Sequence, residues 1–551
     1  MLMLAALVLT LAAPPCETAS GRRGVVACDS AAAADVGVAV LAEGGNAVDA
    51  AVAVGLAMAV TWPEAGNVGG GGFLLVAPPE GEVACVDYRE TAPAAATVDS
   101  FRGWTRRRHA RMAGVPGTVR GLAEARRRWG TRPWKKLIAP AVRLAEEGFA
   151  VDRPLAESLN GVLNDVRGDE RYAELTRVYG RPDGRPWRPG DTLRQPDLAA
   201  TLRLIADDPD AFYDGPIAGQ IVAEMRRGGG LIAATDLAAY RAVVRPAVSG
   251  TFGDFTLFGA PPPSSGGLTV LMQLRMLGPL GYAAADETQR AHLFTEVMRR
   301  SFLERAAHLG DPDYVVIPKS PFTAERAAEL AATVDPDRAT PSDDLAGAIP
   351  LTPESPQTTH FSILDADGMA VANTYTLEAS WGSRVVVRGA GFVLNNEMGD
   401  FNWSPGETNR LGRIGTAANL IAPGKRMLSS QSPTIVQEDG RTRLVVGSPG
   451  GRTIINTVAQ VTARHLLLGE PLEEAVAAPR LHHQWFPDVL FAEGGPDEWP
   501  EGFAADLEAK GHRVQFRRQR QGSAHAIAVG EDGRATAVAD WRRGGAARAV
   551  P

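Results

Sequence analysis

The segment PESPQTTHFSILDADGMAVANTYTL, residues 353–377, places two threonines at the start of an alternating run and a third at its far end. A threonine hydroxyl becomes a useful nucleophile only with a base beside it. No histidine is obviously placed to serve Thr358, since His360 lies two residues on along the same strand. Cleavage of the Gln357–Thr358 bond would supply another base. Thr358 would then carry a free α-amino group, with an unperturbed pKa of about 7.7–8.0, suited to proton transfer near neutral pH. The same hydroxyl can cut that bond itself by attacking the preceding carbonyl, forming an ester that water hydrolyses. The competing reading is a plain Thr-rich strand, which β-branched residues favour.

The element that positions these groups is an expected hairpin. A three-residue loop, Ala366-Asp367-Gly368, with glycine in the left-handed position, pairs Asp365 with Met369. Counting outward puts Thr358 opposite Thr376, with Cβ atoms about 5 Å apart. The two hydroxyls would then be close enough to hydrogen-bond. A slip of one residue would bring Thr359 there instead.

Around this hairpin the chain divides in character. Residues 25–62 read as two Ala/Val-rich helices, the second capped by Asn46. PEAGNVGGGGFLLVAP follows. A phosphate loop needs strand, glycines, then helix, and a lysine; here the order is helix, glycines, strand, so close backbone packing explains the glycines better. Residues 83–90 read as a strand ending in Asp-Tyr-Arg-Glu, 117–240 as mostly helical, 260–267 (APPPSSGG) as a rigid turn into a helix, and 287–309 as another helix. Residues 335–357 read as a surface linker. After 358 strand-like runs dominate, including SRVVVRGAGFVLNN at 383–396.

The totals set limits. The chain has 551 residues, 45% hydrophobic and 22% charged, an ordinary soluble composition. A net charge of −7 argues against nucleic acid or anionic membrane as main partner. Cys16, Cys28 and Cys85 form neither a disulfide framework nor a CxxC metal pair. The apolar run to Ala13 fits a signal-peptide core, so residues 1–20 are expected to be a leader and the protein exported, periplasmic or secreted. No stretch is apolar enough to span a membrane. His482-His483 lie adjacent on an extended run, so their side chains point opposite ways and no metal is expected there.

The motifs EGGNAVDAAVAVGLAMAVTWPEAGNVGGGGF, DYRETAP, GVPGTV, PPPSSGG, LGDPDY, QTTHFS, TYTL, FVLNNEMGDF, GKRMLSSQSPTIV, GSPGG and HHQW, in this order from about residue 24 to the end, resemble the γ-glutamyltranspeptidase (glutathione hydrolase) family of N-terminal nucleophile hydrolases. The resemblance implies an α+β fold, a four-layer αββα sandwich built from two chains of one cleaved precursor. These would be a large chain, 21–357, and a small chain, 358–551, forming one interleaved domain. It implies cleavage between Gln357 and Thr358, Thr358 as nucleophile, Thr376 as its support, and Gly450 and Gly451 as the oxyanion hole. It implies Arg89, Ser429 and Ser430 for the α-carboxylate of a γ-glutamyl group, and Glu378, Glu397 and Asp400 for its α-ammonium. The implied partners are small molecules, glutathione or a related γ-glutamyl donor and an amino acid or dipeptide acceptor, with no cofactor.

The chain departs from some members of that family in two places. Glu378 and Glu397 stand where some carry amides, and the lid-like loop Pro405–Ile421 has Leu411 where some have an aromatic residue. Two rival readings remain: an acylase acting on glutaryl side chains, such as those of cephalosporins, and an uncleaved inactive homologue that binds peptides or amino acids.

Overall fold

The structure, a computed structural model, describes residues 15–345, 358–402 and 417–551. Two seven-stranded sheets lie face to face, with helices on both outer faces. One sheet runs Ala546–Ala549, Gly24–Cys28, Thr359–Asp365, Ala370–Thr376, Gly71–Ala77, Ala84–Asp87, Val243–Pro246. The other runs Glu17–Gly21, Ala535–Ala539, His525–Val529, Arg441–Gly447, Thr434–Glu438, Phe255–Gly259, Val248–Phe252. Neighbours in both are antiparallel. Each sheet mixes strands from before and after Thr358, so neither part of the chain completes a sheet alone.

Three apolar layers account for the stack. Val25, Phe73, Leu75, Ile435, Val445 and Ile527 fill the space between the sheets. On the outer face of the first sheet, Val26, Leu74, Ile363 and Val371 pack against the helices Ala31–Ala42 and Ala47–Thr61. On the outer face of the second, Leu257, Val436 and Val446 pack against Gly266–Leu277 and Thr453–Thr462. Each buried Val, Leu, Ile or Phe side chain contributes roughly 1.5–3 kcal/mol, and burial on both faces explains why these strands lack clean alternation.

The helix Ala47–Thr61 is buried along its whole length. Asn46 caps it as expected, in a reciprocal box with Asp49. The segment before it differs from expectation. Gly24–Cys28 is a strand between Thr359–Asp365 and Ala546–Ala549, not the start of a helix. Its Val-Val pair suits a pleated strand, and the helix begins only after the Ser30 cap. Residues 383–396 also differ: they form turns with one bridge, Val386 to Val393. Positive φ at Arg384, Gly389 and Gly391 bends the run too often for a strand. The leader expected over 1–20 overlaps Glu17–Gly21, which pairs along its length with Ala535–Ala539. Cys28 and Cys85 are buried and unbridged. No helix among the described residues is long and apolar enough to cross a membrane.

Candidate active site

The hairpin forms in the expected register. Asp365 N–H donates to Met369 O, and Gly368 takes φ +87°. Asp365 Oδ1 accepts from the Asp367 and Met369 amides, while Oδ2 accepts from Ala47 N, tying the turn to a helix start. Thr359 pairs with Tyr375 and His360 with Thr374, so one step outward Thr358 stands opposite Thr376. Thr358 is buried, and its carbonyl accepts from Arg543 Nη1 at 3.2 Å. Thr376 Oγ1 accepts from Glu378 N at 2.9 Å.

The glycine-rich loop braces the far end of this hairpin. Asn67 Nδ2 donates to Thr376 O, and Asn67 Oδ1 accepts from Gly70 N and Thr118 Oγ1. A Cβ on Gly70 would sit 2.0 Å from Thr376 O, an impossible contact. Close backbone approach is therefore what the glycine provides here.

One cavity collects the expected residues. Thr358, Thr376, Arg89, Glu378, Glu397, Asp400, Ser429, Ser430 and Gly451 all line it. Its volume is about 20 Å³, room for roughly one water. Gly450 lines the neighbouring, larger cavity instead. Gln357 and most of the lid-like loop, including Leu411, lie outside the described residues.

Charge dominates this cavity. Arg89, at the end of the strand Ala84–Asp87, donates to Asp400 at 2.5 Å and pairs with Glu397 at 2.7 Å and, more loosely, Glu90 at 3.6 Å. Glu378 pairs weakly with Arg107 at 3.5 Å and accepts from Asn396 Nδ2. Burial pushes Glu378 up to about 8, and the nearby Asp400 charge adds to the effect. Glu90 is likewise pushed up to about 8 by burial, against the pull of Arg89. Three carboxylates, Glu90, Glu397 and Asp400, thus surround one fully buried guanidinium, and Glu378 lines the same cavity.

The serines are braced from behind. Ser430 Oγ accepts from Arg305 Nη2, and Arg305 Nε donates to Ser265 Oγ. Ser265 donates through both its amide and its hydroxyl to Ser429 O. The PPPSSGG turn therefore supports the SSQS segment directly. Ser429 Oγ accepts from Gln431 N at 3.1 Å.

The Gly450-Gly451 turn joins the strand Arg441–Gly447 to the helix Thr453–Thr462. Gly450 O accepts from Thr453 N, and Gly451 O from Ile454 N. In a trans peptide N–H and C=O oppose each other, so the Gly451 N–H turns away from the helix start. With φ +137° at Gly450, and Thr453 Oγ1 2.4 Å from where its Cβ would sit, only glycine fits.

Sequence reasoning missed a buried network behind Thr358. Thr359 Oγ1 donates to Asp29 Oδ2 at 2.6 Å, and Asp29 Oδ1 bonds His525 Nε2 at 2.8 Å and Ser523 Oγ at 3.2 Å. Burial alone would raise Asp29, but His525 holds it below the usual carboxylate range. His360 is also buried, between Thr374 and Ser362, and burial keeps it neutral. Glu90 and Arg543 were missed as well. His482 and His483 are taken up by Asn456, Gln484 and Asp488, and no group of three ligating side chains for a metal occurs among the described residues.

The chain is similar to known proteins. The family model described as gamma-glutamyltranspeptidase matches residues 33–550. The chain is 42% identical over 539 residues to the glutathione hydrolase proenzyme of Escherichia coli (strain K12), covering 95% of this chain and 90% of that one. It is 33% identical over 559 residues to the acylase ACY 1 proenzyme of Pseudomonas sp. (strain SE83), covering 97% and 95%. The crystal structure of cephalosporin acylase from Bacillus halodurans superposes with a TM-score of 0.84 at 24% identity over 99% of both chains, which speaks for the fold alone.

Proposed function

The chain belongs to the γ-glutamyltranspeptidase family and is an enzyme, and from that premise we propose that it cuts itself before Thr358 and then transfers γ-glutamyl groups. In the first stage Thr358 Oγ attacks the Gln357 carbonyl carbon, and the peptide nitrogen leaves as the free α-amine of Thr358. Water then hydrolyses the ester, releasing a large chain that ends at Gln357 and a small chain of 358–551.

In the second stage that amine takes the Thr358 hydroxyl proton as Oγ attacks the γ-carbonyl of glutathione or a related γ-glutamyl amide. Backbone N–H groups of Gly450 and Gly451 meet the developing oxyanion. The C–N bond breaks, the departing amine takes the proton, and a γ-glutamyl ester remains on Thr358. Water completes hydrolysis; an amino acid or dipeptide amine completes transpeptidation. Thr376 supports the nucleophile from across the hairpin. We place the enzyme outside the cytoplasm on the apolar run before Ala13.

One observation carries the substrate assignment. Arg89, Glu397 and Asp400 are already in contact inside the site. A zwitterion can insert between them with no net change in charge. Its carboxylate takes Arg89, Ser429 and Ser430, and its ammonium takes Asp400, Glu397 and Glu378. A glutaryl group has no ammonium, and its entry would strip buried carboxylates of their partner at a cost of several kcal/mol.

The similarity to the acylase ACY 1 proenzyme keeps an acylase reading as the rival, for which we take a glutaryl group as the test side chain. Release of aniline from a γ-glutamyl anilide and its glutaryl analogue, side by side, tests both. Faster release from the glutaryl compound would overturn the assignment of Asp400. Reaction with neither would favour an inactive homologue.

A further inference from the structure

One polar side chain in the catalytic cavity takes no part in the proposed γ-glutamyl transfer. Gln431 lines that cavity with Thr358, Gly451 and Ile454, and it is only 2% exposed. Its backbone is held in place. The carbonyl accepts from Ser264 Oγ at 2.5 Å, and the amide donates to Ser429 Oγ at 3.1 Å. Its side chain is not tied: neither Oε1 nor Nε2 has a hydrogen-bond partner among the described residues. A buried carboxamide left bare destabilises the fold, and such a group in a folded protein calls for a reason. An apolar side chain of the same length would pack there without that penalty.

The place of the residue points to the reason. Thr434 pairs with Val446 across two antiparallel strands. Gln431 lies three residues before Thr434, and Pro449 lies three residues after Val446. The SSQS segment and the Gly450-Gly451 turn therefore leave the same end of neighbouring strands. The carboxamide reaches the cavity from beside the glycine turn.

The groups of the substrate then decide its partner. The α-carboxylate has Arg89, Ser429 and Ser430, and the α-ammonium has Asp400, Glu397 and Glu378. The γ-carbonyl oxygen has two backbone N–H groups, and as it gains charge it accepts a further donor. In a trans amide the N–H points away from the carbonyl oxygen, and so away from the glycine turn and Gln431. Side-chain amides are among the donors that serve oxyanions, and they act best when fixed before the reaction. Resting on the γ-glutamyl transfer reading above, we propose that Gln431 Nε2 donates to the oxyanion formed on the γ-carbonyl, as a third, side-chain member of the oxyanion hole.

The test uses the mature two-chain enzyme as wild type, Gln431→Met and Gln431→Leu. Both variants fill similar space and remove the donor, so the outcome does not rest on one packing arrangement. Turnover of γ-glutamyl-4-nitroanilide gives kcat and KM. Calorimetry gives the affinity for two ligands, L-glutamate and its γ-boronic acid analogue, 2-amino-4-boronobutanoic acid. The trigonal boron of the analogue accepts the Thr358 oxygen, and the hydroxyl proton passes to the Thr358 amine. A tetrahedral boronate anion results, with an oxygen where the oxyanion forms. The fitted stoichiometry gives the fraction of matured enzyme, by which kcat is divided.

The variants should lose about 100- to 1000-fold in kcat, as for removal of one oxyanion donor, with KM little changed. Affinity for the boronate should fall steeply while affinity for L-glutamate holds. Tm should stay level or rise, because a bare buried amide has gone. Equal weakening of both ligands would place Gln431 at the amino acid end and overturn the proposal. So would wild-type kcat and boronate affinity in the variants. A wild-type enzyme that releases no nitroaniline and binds neither ligand overturns the γ-glutamyl reading itself and the proposal with it.

Discussion

Arg89 and Asp400 are joined by a 2.5 Å contact from Nη2 to Oδ2, with side chains only 1% and 11% exposed. The residue expected to grip a substrate carboxylate is thus held by a residue expected to grip the substrate ammonium. A ligand with one charge of each sign replaces this contact with two. On the γ-glutamyl reading, an α-amino acid end would open this contact and a simple acid would not.

Asp400→Asn tests that reading. The ammonium loses one charged partner while Arg89 keeps Glu397. Loss of one member of a buried charge pair costs about 2–4 kcal/mol in binding, so kcat/KM for a γ-glutamyl anilide should drop about 30- to 1000-fold. The glutaryl anilide, which offers no ammonium, should lose little or gain. Steady-state rates on both substrates give the answer, and equal losses would break the link between Asp400 and the ammonium.

Glu378 and Glu90 make a pH prediction. Burial raises their pKa from 4.5 to about 8. A raised carboxyl pKa favours the protonated fold. The contribution to stability is therefore full below pH 4.5 and lost as pH rises through about 8. The Tm of the unliganded enzyme should fall between pH 6 and pH 9, and Glu378→Gln should flatten that slope. Binding of an ammonium runs the opposite way, because the ionised form is needed. The affinity for L-glutamate should weaken by up to about tenfold per unit as pH drops below 8. Calorimetry of binding measures this without the Thr358 amine, whose titration complicates turnover. A flat affinity profile from pH 6 to 9 would contradict the charge assignment.

Much of this site was legible because local chemistry set it. A three-residue loop with a left-handed glycine leaves one register, and Thr358 opposite Thr376 follows from it. Asn46 announces its helix, and the glycine loop could only be packing once no lysine followed. Other parts were hidden for physical reasons. Gly24–Cys28 is buried on both faces, so it shows no alternation and merges with the Ala-rich helix after it. Residues 383–396 have strand composition, but positive φ values break them into turns. Asp29 and His525 are 496 positions apart, and nothing local marks either as half of a pair.

Chain cleavage supplies the base in this mechanism, so Thr358→Ala should leave one uncut polypeptide of 58.2 kDa before any leader is removed. Thr358→Ser keeps a hydroxyl and should still be cut, more slowly. Denaturing electrophoresis and the N-terminal sequence of the small chain decide it. Two chains from Thr358→Ala would mean that something other than this hydroxyl cuts the bond.

The Thr359–Asp29–His525 network lies one residue from Thr358 and ties its strand to two distant segments. Asp29→Asn keeps the size of the side chain and removes its charge. The Thr359 hydroxyl can still donate to the amide oxygen, but His525 Nε2 no longer faces a carboxylate. Losing a buried hydrogen-bond partner that carries charge costs about 1.5–3 kcal/mol, so Tm should drop. The more telling readout is the rate of self-cleavage at a temperature where the variant is still folded. If the network positions Thr358, that rate falls, and kcat of the matured fraction falls with it while KM changes little. Asp29→Glu, which restores charge, should recover part of the rate if its longer arm reaches His525. A variant that loses stability yet cuts itself and turns over substrate at wild-type rates would show that the network holds the sheet together and does not aim the threonine.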